Sequence, residues 1–169
     1  SNAALKILVV SAEVAPFAKT GGLADVAGAL PRALSQMGHD VRVLMPWYRQ
    51  LRQDGVTAPV LKAKVKLDPA TLPGEIPKDF DLRATMLPGS KVPVYFIDQA
   101  AYFDRDGYYG DASGDYADNG DRFVFFARAA LAAARSLGFK PDVVHLNDWH
   151  SGLVPVILRT ELLDDPFFA

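Results

Sequence analysis

Between Leu5 and Met45 two short apolar runs flank a single helical stripe, and that order admits few folds. In "LKILVVSAE" the run Leu5, Ile7, Leu8, Val9, Val10 has only Lys6 as an interruption and stops at small and polar residues. It reads as a parallel strand buried on both faces. Leu23, Val26, Ala27, Leu30, Leu34 and Met37 then fall three and four apart, which predicts a helix with one apolar stripe and Gly38 as its stop. Pro31 lies inside that stripe, where the missing N–H predicts a kink or a restart. "DVRVLMP" supplies a second strand, Val41 to Met45. Strand, helix and strand in this order form a βαβ unit with a right-handed crossover.

Further along, "VTAPVLKAKVKLD" alternates weakly, and "LRATMLPGSKVPVYFID" places two β-rich runs around Pro88-Gly89-Ser90-Lys91, which predicts a hairpin. From Asp98 to Asp121 the chain is crowded with Gly, Asp, Tyr and Asn, a loop long and aromatic enough to read as functional. Asp118 or Asn119 is placed to cap the next helix, whose apolar face is Phe123, Phe126, Ala127, Ala130, Leu131 and Ala134. "PDVVHLNDWH" gives another buried strand, Val143 to Leu146, and a last helix is expected from Gly152 to Leu163. The fold class is therefore α/β: a Rossmann-like, open, mostly parallel sheet with helices on both faces and an added β-hairpin.

A chain of 169 residues with 50% hydrophobic and 22% charged residues has the balance of one globular domain. Ser1-Asn2-Ala3 reads as a cleavage scar, which leaves 4–169 as the domain. A formal net charge of -2 gives no overall positive field for nucleic acid or an anionic membrane, and neither partner is expected. No apolar run approaches the roughly 20 residues that span a bilayer. The absence of cysteine removes disulfides and thiolate metal sites and fits a cytoplasmic location.

In such a sheet ligands sit beyond the carboxyl ends of the parallel strands, and two polar clusters occupy that position: Lys19 to Asp25 and Asn147 to His150. "FAKTGGLADVAGAL" puts Lys19, Gly21 and Gly22 at a helix start, where unpaired N–H groups and bare backbone suit a phosphate or sugar. A tight diglycine turn beside a solvated lysine is the other reading of the same residues. The three-glycine dinucleotide fingerprint and the Gly-Lys-Ser/Thr loop are both absent, so neither a nicotinamide cofactor nor an ATPase site is expected. His145, Asp148 and His150 do not converge along an alternating strand, and no metal is expected. Asp104-Arg105-Asp106 has the form of an acidic pair that holds a divalent ion, yet its Tyr- and Gly-rich setting reads as a solvated turn.

"VSAEVAPFAKTGGLADVAGALPRAL", "GHDVRVLMPWY", "GYYGD", "YADNGDRFVFFARAAL" and "PDVVHLNDWHSGLVPVIL", in this order, resemble the bacterial glycogen synthase and plant starch synthase family. The resemblance implies the N-terminal Rossmann-like domain of a two-domain GT-B glycosyltransferase. That enzyme transfers glucose from ADP-glucose to the non-reducing end of an α-1,4-glucan with retention. It also implies that Lys19, Gly21 and Gly22 line the sugar-nucleotide pocket, that Asp25 faces the donor sugar, and that Tyr109 and Asp148 meet donor and acceptor. Asp148 is the catalytic candidate, since a carboxylate stabilises a glucosyl transition state. Asp25 also reads as a first-turn acid favoured by the helix dipole. Trp149 reads as packing at the strand–helix corner, and His150 stays open between packing and substrate binding.

The chain stops before the family's Val-His-Asn motif and second domain, so it is expected to be a fragment with one wall of a cleft. Alone, it is expected to transfer no glucose and to self-associate through an unpaired sheet edge. Another nucleotide-sugar glycosyltransferase of the same architecture, and a non-catalytic nucleotide- or glucan-binding module, remain the alternatives.

Overall fold

The computed structural model describes residues 3–169, so Ser1 and Asn2 of the expected scar lie outside the described residues. Strand β1 (Lys6–Ser11), helix α1 (Gly22–Gln36) and strand β2 (Asp40–Pro46) form the expected unit, with β1 and β2 parallel and Ile7 opposite Val41. The short α2 (Arg49–Gln53) precedes β3 (Val60–Lys66), β4 (Asp79–Met86) and β5 (Pro93–Asp98). A four-residue α3 (Ala100–Phe103) and the small β6 (Gly110–Asp111) and β7 (Gly114–Asp115) ribbon interrupt the long loop. Then come α4 (Asn119–Ser136), β8 (Val143–Asn147) and α5 (Leu153–Thr160), so the last helix is shorter than expected and follows a 3₁₀ turn over Trp149–Ser151.

The six-stranded sheet runs β3-β4-β5-β2-β1-β8. Strands β5, β2, β1 and β8 are parallel, and β4 pairs antiparallel with β5 as the expected hairpin. Ile7, Leu8, Val9 and Val10 are all buried, and because successive side chains point to opposite faces, both faces of β1 are covered. The chain leaves β1 toward β2 on one side and returns as β8 on the other. The strand order thus reverses between β1 and β8, and the crevice at their carboxyl ends is where such sheets take ligands.

Several local expectations are corrected. Helix α1 runs unbroken through Pro31, and its buried residues are Ala24, Ala27, Gly28 and Pro31, while Val26 and Met37 face solvent. Packing distance explains the change: a Cβ added at Gly28 would lie 2.5 Å from the Ala15 carbonyl oxygen, so only small residues fit where α1 meets the 14–18 turn. Gly28→Ala is therefore expected to destabilise the fold by about 1–3 kcal/mol, read as a lower urea midpoint. An unchanged midpoint would show that the turn yields freely.

Gly38, at φ +94°, ends the helix as expected, with His39 N–H donating to Leu34 O. Asp118 sits at the N-cap of α4 but does not cap it, because its carboxylate instead accepts from Arg105 Nη1 and Nη2 at 2.6 and 2.7 Å. The expected apolar face of α4 is buried throughout. Strand β8 is only part-buried, since it is a sheet edge rather than an interior strand, and Val143 is exposed. The opposite edge, β3, carries Lys62, Lys64 and Lys66 and two register shifts, with Lys64 at φ 50°. Charge and a bulge on an edge discourage pairing with another strand.

Candidate active site

The crevice is built from three segments: the turn after β1, the aromatic loop before α4, and the turn after β8. Gly21 caps α1 with φ -165° and ψ -165°, an extended backbone open to any residue, and no side chain caps the helix. A Cβ added at Gly21 or Gly22 would meet nothing within 4 Å. Neither the fold's packing nor its dihedrals require glycine here, so the tight-turn reading loses its reason. What the two residues do provide is uncovered backbone at the positive end of a fifteen-residue helix. Lys19 and Asp25 pair at 2.7 Å with their side chains 52% and 57% exposed. Such a solvated pair contributes at most about 1 kcal/mol and opens readily.

On the other side, β8 delivers Asn147 and then Asp148, whose φ of 64° and ψ of 175° fall in a region that belongs essentially to glycine. A side chain held there costs about 1–3 kcal/mol, and such strain gathers at functional sites. Asp148 is exposed, and its Oδ1 accepts the Trp149 N–H at 2.7 Å. The following 3₁₀ turn buries His150, which stacks on Tyr109 with ring centroids 4.5 Å apart and planes 16° from parallel. Burial holds the His150 imidazole below its ordinary pKa, opposed by the charge of Asp148. The ring is thus neutral near pH 7, and its Nδ1 has no hydrogen-bond partner among the described residues. Trp149 does not pack away at the corner as expected. One face lies against His150 and Phe123, and the residue stays 58% exposed. His145 is turned aside, its Nε2 3.1 Å from Asn147 Oδ1.

The two sides meet on a residue that the sequence reading passed over. Glu13, only 4% exposed, takes three donors: the Thr20 N–H, the Thr20 hydroxyl at 2.8 Å and the Tyr109 hydroxyl at 2.6 Å. Burial pushes the Tyr109 phenol far above its ordinary pKa, with the neighbouring Tyr48 and the bond to Glu13 acting in the same direction, so it stays protonated. Behind Tyr109, Arg122 is fully buried at the start of α4. It donates to Tyr102 O at 2.8 Å, Tyr108 O at 2.9 Å and Asn119 Oδ1 at 2.8 Å, while Asn119 holds Tyr109 O at 2.8 Å. In the Asp104-Arg105-Asp106 segment the Asp106 side chain is 83% exposed, as a solvated turn requires, but the turn is also held by ion pairs. Arg49 and Arg52 engage Asp104, Arg49 also reaches Asp106, and Arg105 holds Asp118. These pairs strap the loop to α2 and α4. Glu13 had one legible signal: an acid directly after an apolar strand, where parallel sheets gather their ligands.

The structure thus brings Glu13, Tyr109 and His150 into one connected cluster, with Asp148 beside it and Lys19, Gly21 and Gly22 joined to it through Thr20. Comparison with known proteins identifies the family. A family model described as the starch synthase catalytic domain matches residues 6–169. The glycogen synthase of Syntrophotalea carbinolica is 51% identical over 171 residues, covering 98% of this chain and 33% of that protein. Glycogen synthase 2 of Geobacter sulfurreducens is 49% identical over 167 residues, with 98% and 33% covered. Among solved structures, the catalytic domain of starch synthase IV from Arabidopsis thaliana bound to ADP and acarbose matches with a TM-score of 0.77 and 29% identity, over 98% of this chain and 32% of that one. The chain therefore spans about a third of the length of the relatives it matches. With a family model over almost its whole length and its parallel sheet, the chain belongs to the starch synthase catalytic-domain family.

Proposed function

We propose that residues 4–169 form the N-terminal Rossmann-like half of a glucan synthase that transfers glucose from ADP-glucose to the non-reducing end of an α-1,4-glucan, with retention. The carrying observation is the crevice where strand order reverses: a bare helix start with a lysine on one wall, and a carboxylate on strained backbone on the other. A nucleotide sugar needs both. Its departing diphosphate is offset by Lys19 and the free N–H groups behind Gly21 and Gly22, and the positive charge growing on the glucosyl carbon is offset by Asp148. Asp25, once Lys19 swings toward phosphate, is free to accept from a donor-sugar hydroxyl. Tyr109 and the neutral His150 form the stacked wall at which donor and acceptor meet. A second domain closes over this wall in the whole protein, so the 169-residue chain alone transfers no glucose. Among the described residues no helix is long and apolar enough to cross a membrane, and we place the enzyme in the cytoplasm, where a cysteine-free chain is at home.

Lys19→Ala in the full-length protein tests the donor side. The lost charge-assisted hydrogen bond should raise KM for ADP-glucose roughly tenfold or more, with a smaller change in kcat. Initial rates against ADP-glucose at saturating glycogen measure it. Unchanged KM and kcat would return Lys19 to its surface pair with Asp25.

A further inference from the structure

We propose that Glu13 is a positioning residue: its buried carboxylate clamps the Thr20 turn to the Tyr109 hydroxyl and so holds the two walls of the crevice in one geometry before substrate arrives. A carboxylate in the interior without a bonded cation is costly, and apolar packing at the same place would be more stable. Glu13 makes no ion pair among the described residues. Its three donors come from Thr20, seven residues away, and Tyr109, ninety-six away, and both flank the crevice. Thr20 leads directly into Gly21 and Gly22, while Tyr109 carries the stack on His150. One side chain therefore joins the phosphate-facing turn to the sugar-facing wall.

The bonds also set hydrogen-bond polarity. The Thr20 N–H and O–H and the Tyr109 O–H all point at Glu13, so none of them is available to a ligand. Phosphate contact falls to the N–H groups beyond Thr20, and Tyr109 offers a ligand only lone pairs and a ring face. An amide at position 13 reverses this, because its NH2 donates to the phenol oxygen and the Tyr109 O–H is left free to donate to a ligand.

The donor-related part of this inference rests on the nucleotide-sugar reading, and two readouts separate them. Amide hydrogen exchange on the ligand-free full-length protein reads the clamp alone: Glu13→Gln should speed exchange at Thr20 and across residues 107–116 together, without a matching change in α4 or β1. No change at those amides overturns the clamp whatever the donor is. Initial rates with ADP-glucose and glycogen read its use. Glu13→Gln and Tyr109→Phe should each lower kcat/KM for ADP-glucose about tenfold, while the double variant should be within about twofold of the worse single one. Singles that multiply, or a Glu13→Gln enzyme with normal kcat/KM, overturn the positioning role. Tyr95→Phe, at a hydroxyl bonded to Arg42 on the sheet, should multiply independently with Glu13→Gln. If Glu13→Gln shows the exchange pattern while the wild type neither binds ADP nor uses ADP-glucose, the nucleotide-sugar reading is overturned and the clamp stands.

Discussion

Asp148→Asn in the full-length protein should lower kcat for glucosyl transfer by about 10²–10³-fold while KM for ADP-glucose stays within about threefold. At φ 64° and ψ 175° the residue is strained, and asparagine tolerates positive φ at least as well as aspartate, so the turn should keep its shape. The amide oxygen can also keep the Trp149 N–H bond that Asp148 Oδ1 makes at 2.7 Å. What disappears is the carboxylate that the proposed mechanism sets against the positive charge growing on the glucosyl carbon. An interaction realised mainly in the transition state acts on kcat rather than on binding. Single-turnover rates with ADP-glucose measure it directly. Near-normal turnover would remove Asp148 from the chemistry, and loss that merely tracks a collapsed melting transition would make it structural.

The second large effect is on stability. Arg122→Ala should cost about 3–5 kcal/mol, because it deletes a fully buried side chain and leaves groups it served unpaired. Its guanidinium anchors the carbonyls of Tyr102 and Tyr108 and the side chain of Asn119, and it lies over the rings of Phe103, Tyr116 and Phe123. Burial lowers its pKa from the ordinary arginine value, yet an arginine stays charged at any pH the fold survives. Arg122→Met should recover part of the loss by refilling the volume without a buried charge. Urea denaturation followed by tyrosine and tryptophan fluorescence reads both variants. A loss below about 1 kcal/mol for the alanine variant would mean that the aromatic loop is anchored elsewhere.

The elements were legible wherever one physical signal dominated. The apolar runs of β1 and β2, the positive-φ glycine after α1 and the hairpin around Pro88-Gly89 each depend on neighbours in sequence. The buried face of α1 was not legible, because closeness to Ala15 selects small residues at Ala24 and Gly28 over larger ones nearby. Nor was the exposure of β8 and Trp149, since an interior strand and an edge strand can share the same apolar run. Asp118 had the right residue type and position for a cap, but Arg105 thirteen residues earlier competes for its carboxylate. Both polar clusters of the crevice were visible as positions after parallel strands. Their joint was not: nothing near Glu13 announces that Tyr109, ninety-six residues on, will donate to it.

The unequal edges of the sheet bear on how its reactive end can be extended. The β3 side is closed to growth by its lysines and its bulge, whereas β8, Val143–Asn147, carries no lysine, arginine or carboxylate and leaves Val143 exposed. A strand added there in parallel would lie about 4.8 Å away and end at the same side as Ser11 and Asn147. Its last residues would then stand next to Asp148. Accretion on this flank therefore enlarges the reactive end with new side chains while Glu13, Lys19 and Tyr109 keep their places. The guarded flank lies five strands from β8, away from the crevice.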